Sequence, residues 1–238
     1  MKPLRQQLIV ITLFAIAMAL LESAVVIYLR EIMYPGGFQF PLAPVLPRLA
    51  LTEILREAAT IVMLATVSIL AAKTFSQRFA WFVYTFAIWD IFYYLFLWLL
   101  IGWPESLLTW DVLFLIPATW TGPVITPLIL TLLMILLSAT ILLNADRGKT
   151  TRLQTIEWGG LSLGSVIAII AFMTDYLRHM REAFSLGDML KADRELLMSH
   201  AESYIPDRFP WLLFAAGAAI IAATIIRYGQ RISRAKSR

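Results

Sequence analysis

Six apolar stretches, each close to the ~20 residues that a helix needs to cross a bilayer, limit what this chain can fold into. They cover about 8–29, 50–72, 79–101, 123–143, 156–179 and 209–227. Inside lipid, only helices and closed barrels satisfy every backbone polar group, and runs this long without alternation are helical. The predicted fold is therefore all-α: a polytopic integral membrane protein, a bundle of about six transmembrane helices, with 1–238 as one domain. Composition agrees. Hydrophobic residues make up 60% and charged residues 15%, against ~45–50% and ~25% in a soluble domain. Lys2 and Arg5 before the first stretch, and Ala17-Met18-Ala19 within it, have the pattern of a secretory leader. The apolar run resumes after Glu22 and continues through Leu29, so the segment reads as a retained first helix.

Basic residues order the bundle. The short linkers 73–78 and 144–155 carry Lys73, Arg78, Arg147, Lys149 and Arg152, and the termini carry Lys2, Arg5, Arg227, Arg231, Arg234, Lys236 and Arg238. The 102–122 connection has no Lys or Arg. By the positive-inside rule both termini are cytoplasmic, which in a bacterium means the plasma (inner) membrane. Trp81 and Trp158 then fall near inner ends, and Trp103, Trp120 and Trp211 near outer ends, as two aromatic belts would.

The outer connections are the unusual part. Residues 30–48 are too rich in Pro and Gly for a continuous helix. Pro104 opens an apolar run that ends at Pro117, too short to span, so 104–116 is expected to be a re-entrant or interfacial short helix. Asp111 points into the bundle if that helix is re-entrant and is solvated if it lies flat, the reading preferred on sequence. An amphipathic helix is expected over about 185–204, starting near Asp188 and lying across the outer mouth.

Several chemistries are excluded. The chain has no cysteine and two histidines, His179 and His200, so iron–sulfur clusters, c-type haem and cysteine nucleophiles are absent. A formal charge of +4, dispersed beside apolar runs, gives no nucleic-acid surface.

What remains is a set of ionisable residues at membrane depth, where such groups face the bundle interior and mark function. Glu53, Arg56, Glu57 and Thr60 occupy i, i+3, i+4 and i+7, one face of the second helix. Glu22 lies at a similar depth in the first helix, and Asp90 in the third carries Tyr93 and Tyr94 on its side. Asp175, Arg178, His179 and Glu182 repeat the spacing at the outer end of the fifth. Acidic residues of four helices thus share the outer half of the membrane.

Three readings stay open. In a metal-binding membrane enzyme, Glu57, Asp175 and His179 are candidate ligands of a divalent metal such as iron, manganese or zinc. Glu22, Glu53 and Asp90 would complete the catalytic set, Arg56 would orient an anionic group, and Tyr93 or Tyr94 would relay protons. Neither a Glu-x-x-His pair nor His-Glu-x-x-His supports this. In a non-catalytic scaffold or subunit, the same charges form internal salt bridges. In a proton- or ion-coupled transporter, the carboxylates form a relay, although no internal repeat is evident. The implied partners are the bilayer and either other membrane proteins or a second copy. Small residues Gly160, Gly164 and Ala168 on the fifth helix, and Ala215, Ala219 and Ala223 on the sixth, offer surfaces for close helix packing.

Overall fold

The computed structural model describes residues 3–34, 36–43, 46–185, 187 and 194–234. Six helices are long and apolar enough to cross a membrane. They are α1 (Leu4–Met33), α2 (Pro47–Ala71), α3 (Phe75–Ile101), α4 (Ile125–Asp146), α5 (Thr155–Ala183) and α7 (Trp211–Arg234); the shorter α6 (Arg194–Glu202) precedes the last. The chain is an all-α polytopic membrane bundle. Most boundaries fall within a few residues of the apolar stretches. The last helix runs farther, because Arg227, Arg231 and Arg234 continue it beyond the apolar window.

Helix α3 is the hub of one half, with α1, α2 and α4 packed around it. Helices α5 and α7 form the other half and meet α4 through α7. The α5–α7 contact follows from glycine. A Cβ at Gly164 would stand 2.8 Å from the Gly217 carbonyl oxygen, and one at Gly217 would stand 2.8 Å from the Gly164 carbonyl oxygen. The expected small-residue stripe on α5 therefore does pack closely. Its partner on α7 is Gly217, Ile221 and Thr224, whereas Ala215, Ala219 and Ala223 face outward.

Six spans bring the start of α1, the end of α7 and the 72–74 and 147–154 linkers to one end, here the terminus end. It is tightly tied. Fully buried Glu157 takes two bonds from Arg231, each 2.7 Å, joining the start of α5 to the end of α7. Glu157 also accepts from the Gln154 backbone N–H at 2.7 Å, half of a capping box. Trp81, expected in an aromatic belt, is instead buried in the core beside Leu137, Ile141 and Tyr228.

The opposite end differs from expectation. Residues 104–116 do not form a half-helix. Strand β1 (Trp110–Phe114) pairs antiparallel with β2 (Trp120–Pro123), with Asp111 opposite Gly122 and Val112 opposite Thr121. Aromatic and β-branched residues alternate at Trp110, Val112 and Phe114, which suits a strand, and pairing satisfies backbone groups near the membrane. Asp111 is consequently buried, not solvated. The expected amphipathic helix is seen as α6; its proposed start at Asp188, with 186 and 189–193, lies outside the described residues.

Candidate functional site

At the hairpin end, α1, α2, α3 and β1 enclose a cavity of ≈ 230 Å³. Of the seven residues expected to build one polar site, Glu22, Glu53, Arg56, Glu57 and Asp90 line it and Asp175 and His179 do not; Tyr93 and Tyr94, the expected relays, line it too, and Arg30 and Asp111 join them. The local cause is helical spacing. Glu22, Val26, Leu29, Arg30 and Met33 share one face of α1, and Glu53, Arg56, Glu57 and Thr60 one face of α2.

The α1–α2 side of the cavity is a shared ion pair. Arg56 Nη1 donates to Glu22 Oε1, while its Nε and Nη2 reach Glu53 Oε2 at 2.8 and 2.7 Å. The Thr60 hydroxyl donates to the Arg56 carbonyl at 3.1 Å. Glu57, one residue further, accepts from the Leu115 backbone N–H at 3.0 Å. That bond ties α2 to the end of β1.

The α1–α3 side is built around Arg30. Its guanidinium carbon lies 4.3 Å from the Phe38 ring centroid and 3.7 Å from that of Trp103, a cation in the corner of two rings set at 89° to each other. Nη2 donates to Asp111 Oδ1 at 3.1 Å, and the Tyr94 hydroxyl donates to Asp111 Oδ2 at 3.3 Å. Burial pushes the Asp111 carboxyl up to about 6, even though Arg30, the Val112 N–H and the Tyr94 hydroxyl all pull it down. Trp103, read from sequence as a membrane anchor, thus covers a buried charge.

Polar saturation is incomplete here and nearly complete elsewhere. Among the described residues, four buried side-chain polar atoms have no hydrogen-bond partner. Three of them (Arg30 Nη1, Trp89 Nε1 and Asp90 Oδ2) belong to residues lining this one cavity. Native proteins satisfy most buried polar groups, so a cluster of exceptions needs an explanation.

Asp175 and His179 do not line the cavity. Asp175 Oδ2 accepts from the Tyr204 hydroxyl at 2.8 Å and the Asp207 N–H at 3.1 Å, and Oδ1 accepts from the Arg208 N–H at 3.1 Å. Tyr204 also bonds Thr121 of β2 at 2.8 Å. His179 and His200 stack with centroids 4.3 Å apart, and each Nε2 donates to the other's backbone oxygen, at 3.0 and 2.9 Å. These residues hold the segment after α6 against α5 and β2. Among the described residues, no three His, Asp or Glu side chains are grouped to hold a metal ion.

Arg30 and Trp89 are the residues that the sequence reading passed over. Arg30 sits at a helix end, where a long cation normally reaches for the interface. Its eight-residue separation from Glu22, two i+4 steps along one face, was the available signal. Trp89 gave none, since α3 is aromatic along its whole length.

Compared with known proteins, the chain matches no family model, no curated protein and no solved structure.

Proposed function

We propose that the protein is a membrane-embedded binding protein for a small solute bearing a protonated amine, with the α1–α2–α3–hairpin cavity as its seat. The observation that carries this reading is an excess of acid. Five carboxyl groups line the cavity against two guanidinium groups. Asp111 is matched by Arg30, while Glu22 and Glu53 share Arg56. Glu57 has the Leu115 N–H, and Asp90 keeps a buried oxygen without a partner. An ammonium group at Asp90 or at Glu57 would supply both charge and donors. Trp89, Tyr93 and Phe114 present aromatic rings to such a cation. The volume is below the ~300 Å³ of pockets for drug-sized ligands, so the solute is small.

The scaffold reading keeps part of the site. A guanidinium clamped by carboxylates from two helices is a folding device, and Glu22, Arg56 and Glu53 fit that role. With both termini cytoplasmic, as the basic terminus end supports, the cavity belongs to the non-cytoplasmic half of the membrane. A proton- or ion-coupled carrier is the transporter class that such a site would serve.

The test is thermal unfolding of purified protein with a panel of small primary amines. A hundredfold excess over Kd should stabilise wild type by about 2.7 kcal/mol. The gain should vanish in Asp90→Asn and fall in Glu57→Gln. No stabilisation by any amine, or equal stabilisation of both variants, would sink the reading. Stoichiometric iron, manganese or zinc, kept by wild type and lost from a folded Glu57→Gln, would instead favour the metal-binding enzyme.

A further inference from the structure

We infer that the groove at the terminus end, between residues 149–155 and the start of α3, seats the headgroup of an anionic phospholipid. It is a second site, and it does not depend on the amine-binding reading. The groove has a volume of ≈ 890 Å³, and α3 and α5 both begin at its edge. Lys149 and Arg152 line it, and among the described residues no carboxyl side chain does. Glu157, the acid at the start of α5, is fully buried and taken by Arg231. Asp146 is exposed and does not line the groove. The groove is therefore positive, the reverse of the acidic cavity at the hairpin end.

Both cations have donors to spare. The Arg152 guanidinium is exposed and has no partner among the described residues. Lys149 Nζ donates one bond, to the Ile232 carbonyl at 3.2 Å, and keeps two donors. Three positions apart, their Cα atoms are separated by at most ~11 Å even in an extended chain, so two long side chains can converge on one phosphate-bearing headgroup. The opposite wall is held close, because the Leu153 N–H donates to Ser76 Oγ of α3 at 3.3 Å. Thr74, Thr150 and Thr155 add hydroxyl groups to the lining. The rim is aromatic. Phe75 is 71% exposed, its ring centroid 5.6 Å from that of Trp158, which in turn packs 4.7 Å from Phe79. Such rings at helix ends belong at the headgroup level of a membrane, where lipid covers them. A soluble phosphate would use the cations and leave the rings bare, whereas a phospholipid uses both. With the terminus end cytoplasmic, the groove meets the leaflet that carries anionic lipids, and basic pockets at that depth recognise their headgroups.

The experiment is native mass spectrometry of the purified full chain, reading the Kd of the first bound lipid. Phosphatidylglycerol is compared with phosphatidylcholine of the same acyl chains. Each basic residue near an anionic headgroup is worth about fivefold, so wild type should prefer phosphatidylglycerol by at least about tenfold. Arg152→Gln removes a side chain with no partner in the fold and should cut that preference about fivefold. Adding Lys149→Gln should bring it to within about twofold, and Arg152→Gln decides alone if the double variant does not fold. Lys73→Gln with Arg147→Gln removes two exposed cations of the same end that do not line the groove, and it should keep the preference. An equal fall in that control would trace the preference to the charge of the whole end and overturn the groove. Wild type without a preference, or an unchanged preference in Arg152→Gln, would overturn the inference. Glycerol phosphate that binds as tightly as phosphatidylglycerol would assign the groove to a soluble anion and overturn the lipid.

Discussion

Arg56 serves two carboxylates, so its loss should cost more than the loss of either. Arg56→Ala leaves Glu22 and Glu53 without a counterion in a site where the three side chains are 22%, 12% and 15% exposed. Stripping one partner from a buried pair costs ~3–5 kcal/mol, and partial exposure puts this case near 3 kcal/mol. Glu53→Gln keeps the Glu22 pair and should cost under ~1 kcal/mol. Denaturation in mild detergent measures both, and equal costs would show that the guanidinium is not shared. Asp111 gives a pH signature. Its folded pKa of about 6 exceeds the ordinary 3.8, so the native protein holds that proton more tightly than the unfolded chain. The contribution is fully present below the unfolded value and is lost as pH rises through the folded one. On acidification from about pH 7 to about pH 4, wild type should gain stability relative to Asp111→Asn. Parallel curves for the two proteins would refute the raised value. At this scale the sequence was informative where partners lie on one helix face, as with Glu53 and Arg56. It was silent on Arg30 and Asp111, which are 81 positions apart and meet only because the hairpin folds back over α1.

Among elements, the α5–α7 contact makes the sharpest prediction. A Cβ at Gly164 would stand 2.6 Å from Ile221 Cγ1 and 2.8 Å from the Gly217 carbonyl oxygen. The backbone oxygen cannot rotate away, so Gly164→Ala should push the helices apart at a cost of ~1–3 kcal/mol. Gly159, five residues earlier on an exposed part of α5, would place its Cβ with nothing within 4 Å. Gly159→Ala should therefore be neutral or stabilising by up to ~1 kcal/mol, through helix propensity alone. Thermal unfolding of the two variants side by side checks the contact, and similar effects would refute it. The stripe on α5 was readable because small residues recur at i, i+4 and i+8. Its partner face was not, since α7 carries small residues on several sides and periodicity alone does not choose among them. The hairpin was misread for a related reason. A ten-residue apolar run fits a half-helix or a strand equally well in length, and its pairing partner, Trp120–Pro123, lies beyond a proline.

In the whole molecule, the Glu157–Arg231 tie and the carboxyl-lined cavity occupy opposite ends. The terminus end is tied by the Glu157–Arg231 pair and the buried ring of Tyr228, whereas the hairpin end keeps the cavity lined by five carboxyl groups. Which end faces the cytoplasm decides where a solute would come from. Lys73, Arg78, Arg147, Lys149, Arg152, Arg227, Arg231 and Arg234 gather at the terminus end, and the chain from 102 to 124 has no basic residue. Translocating so many cations is unfavourable, so the terminus end should be cytoplasmic and the cavity should face away from the cytoplasm. Because the chain contains no cysteine, one introduced thiol reports its own location without background. Glu105 and Thr150 are exposed at opposite ends. In intact cells, a membrane-impermeant maleimide should label Glu105→Cys and spare Thr150→Cys, with the pattern reversed in inside-out vesicles. Labelling of Thr150→Cys alone in intact cells would invert the topology. The cavity would then draw on solutes of the cytoplasm, and the direction assigned to binding would reverse while its chemistry stood.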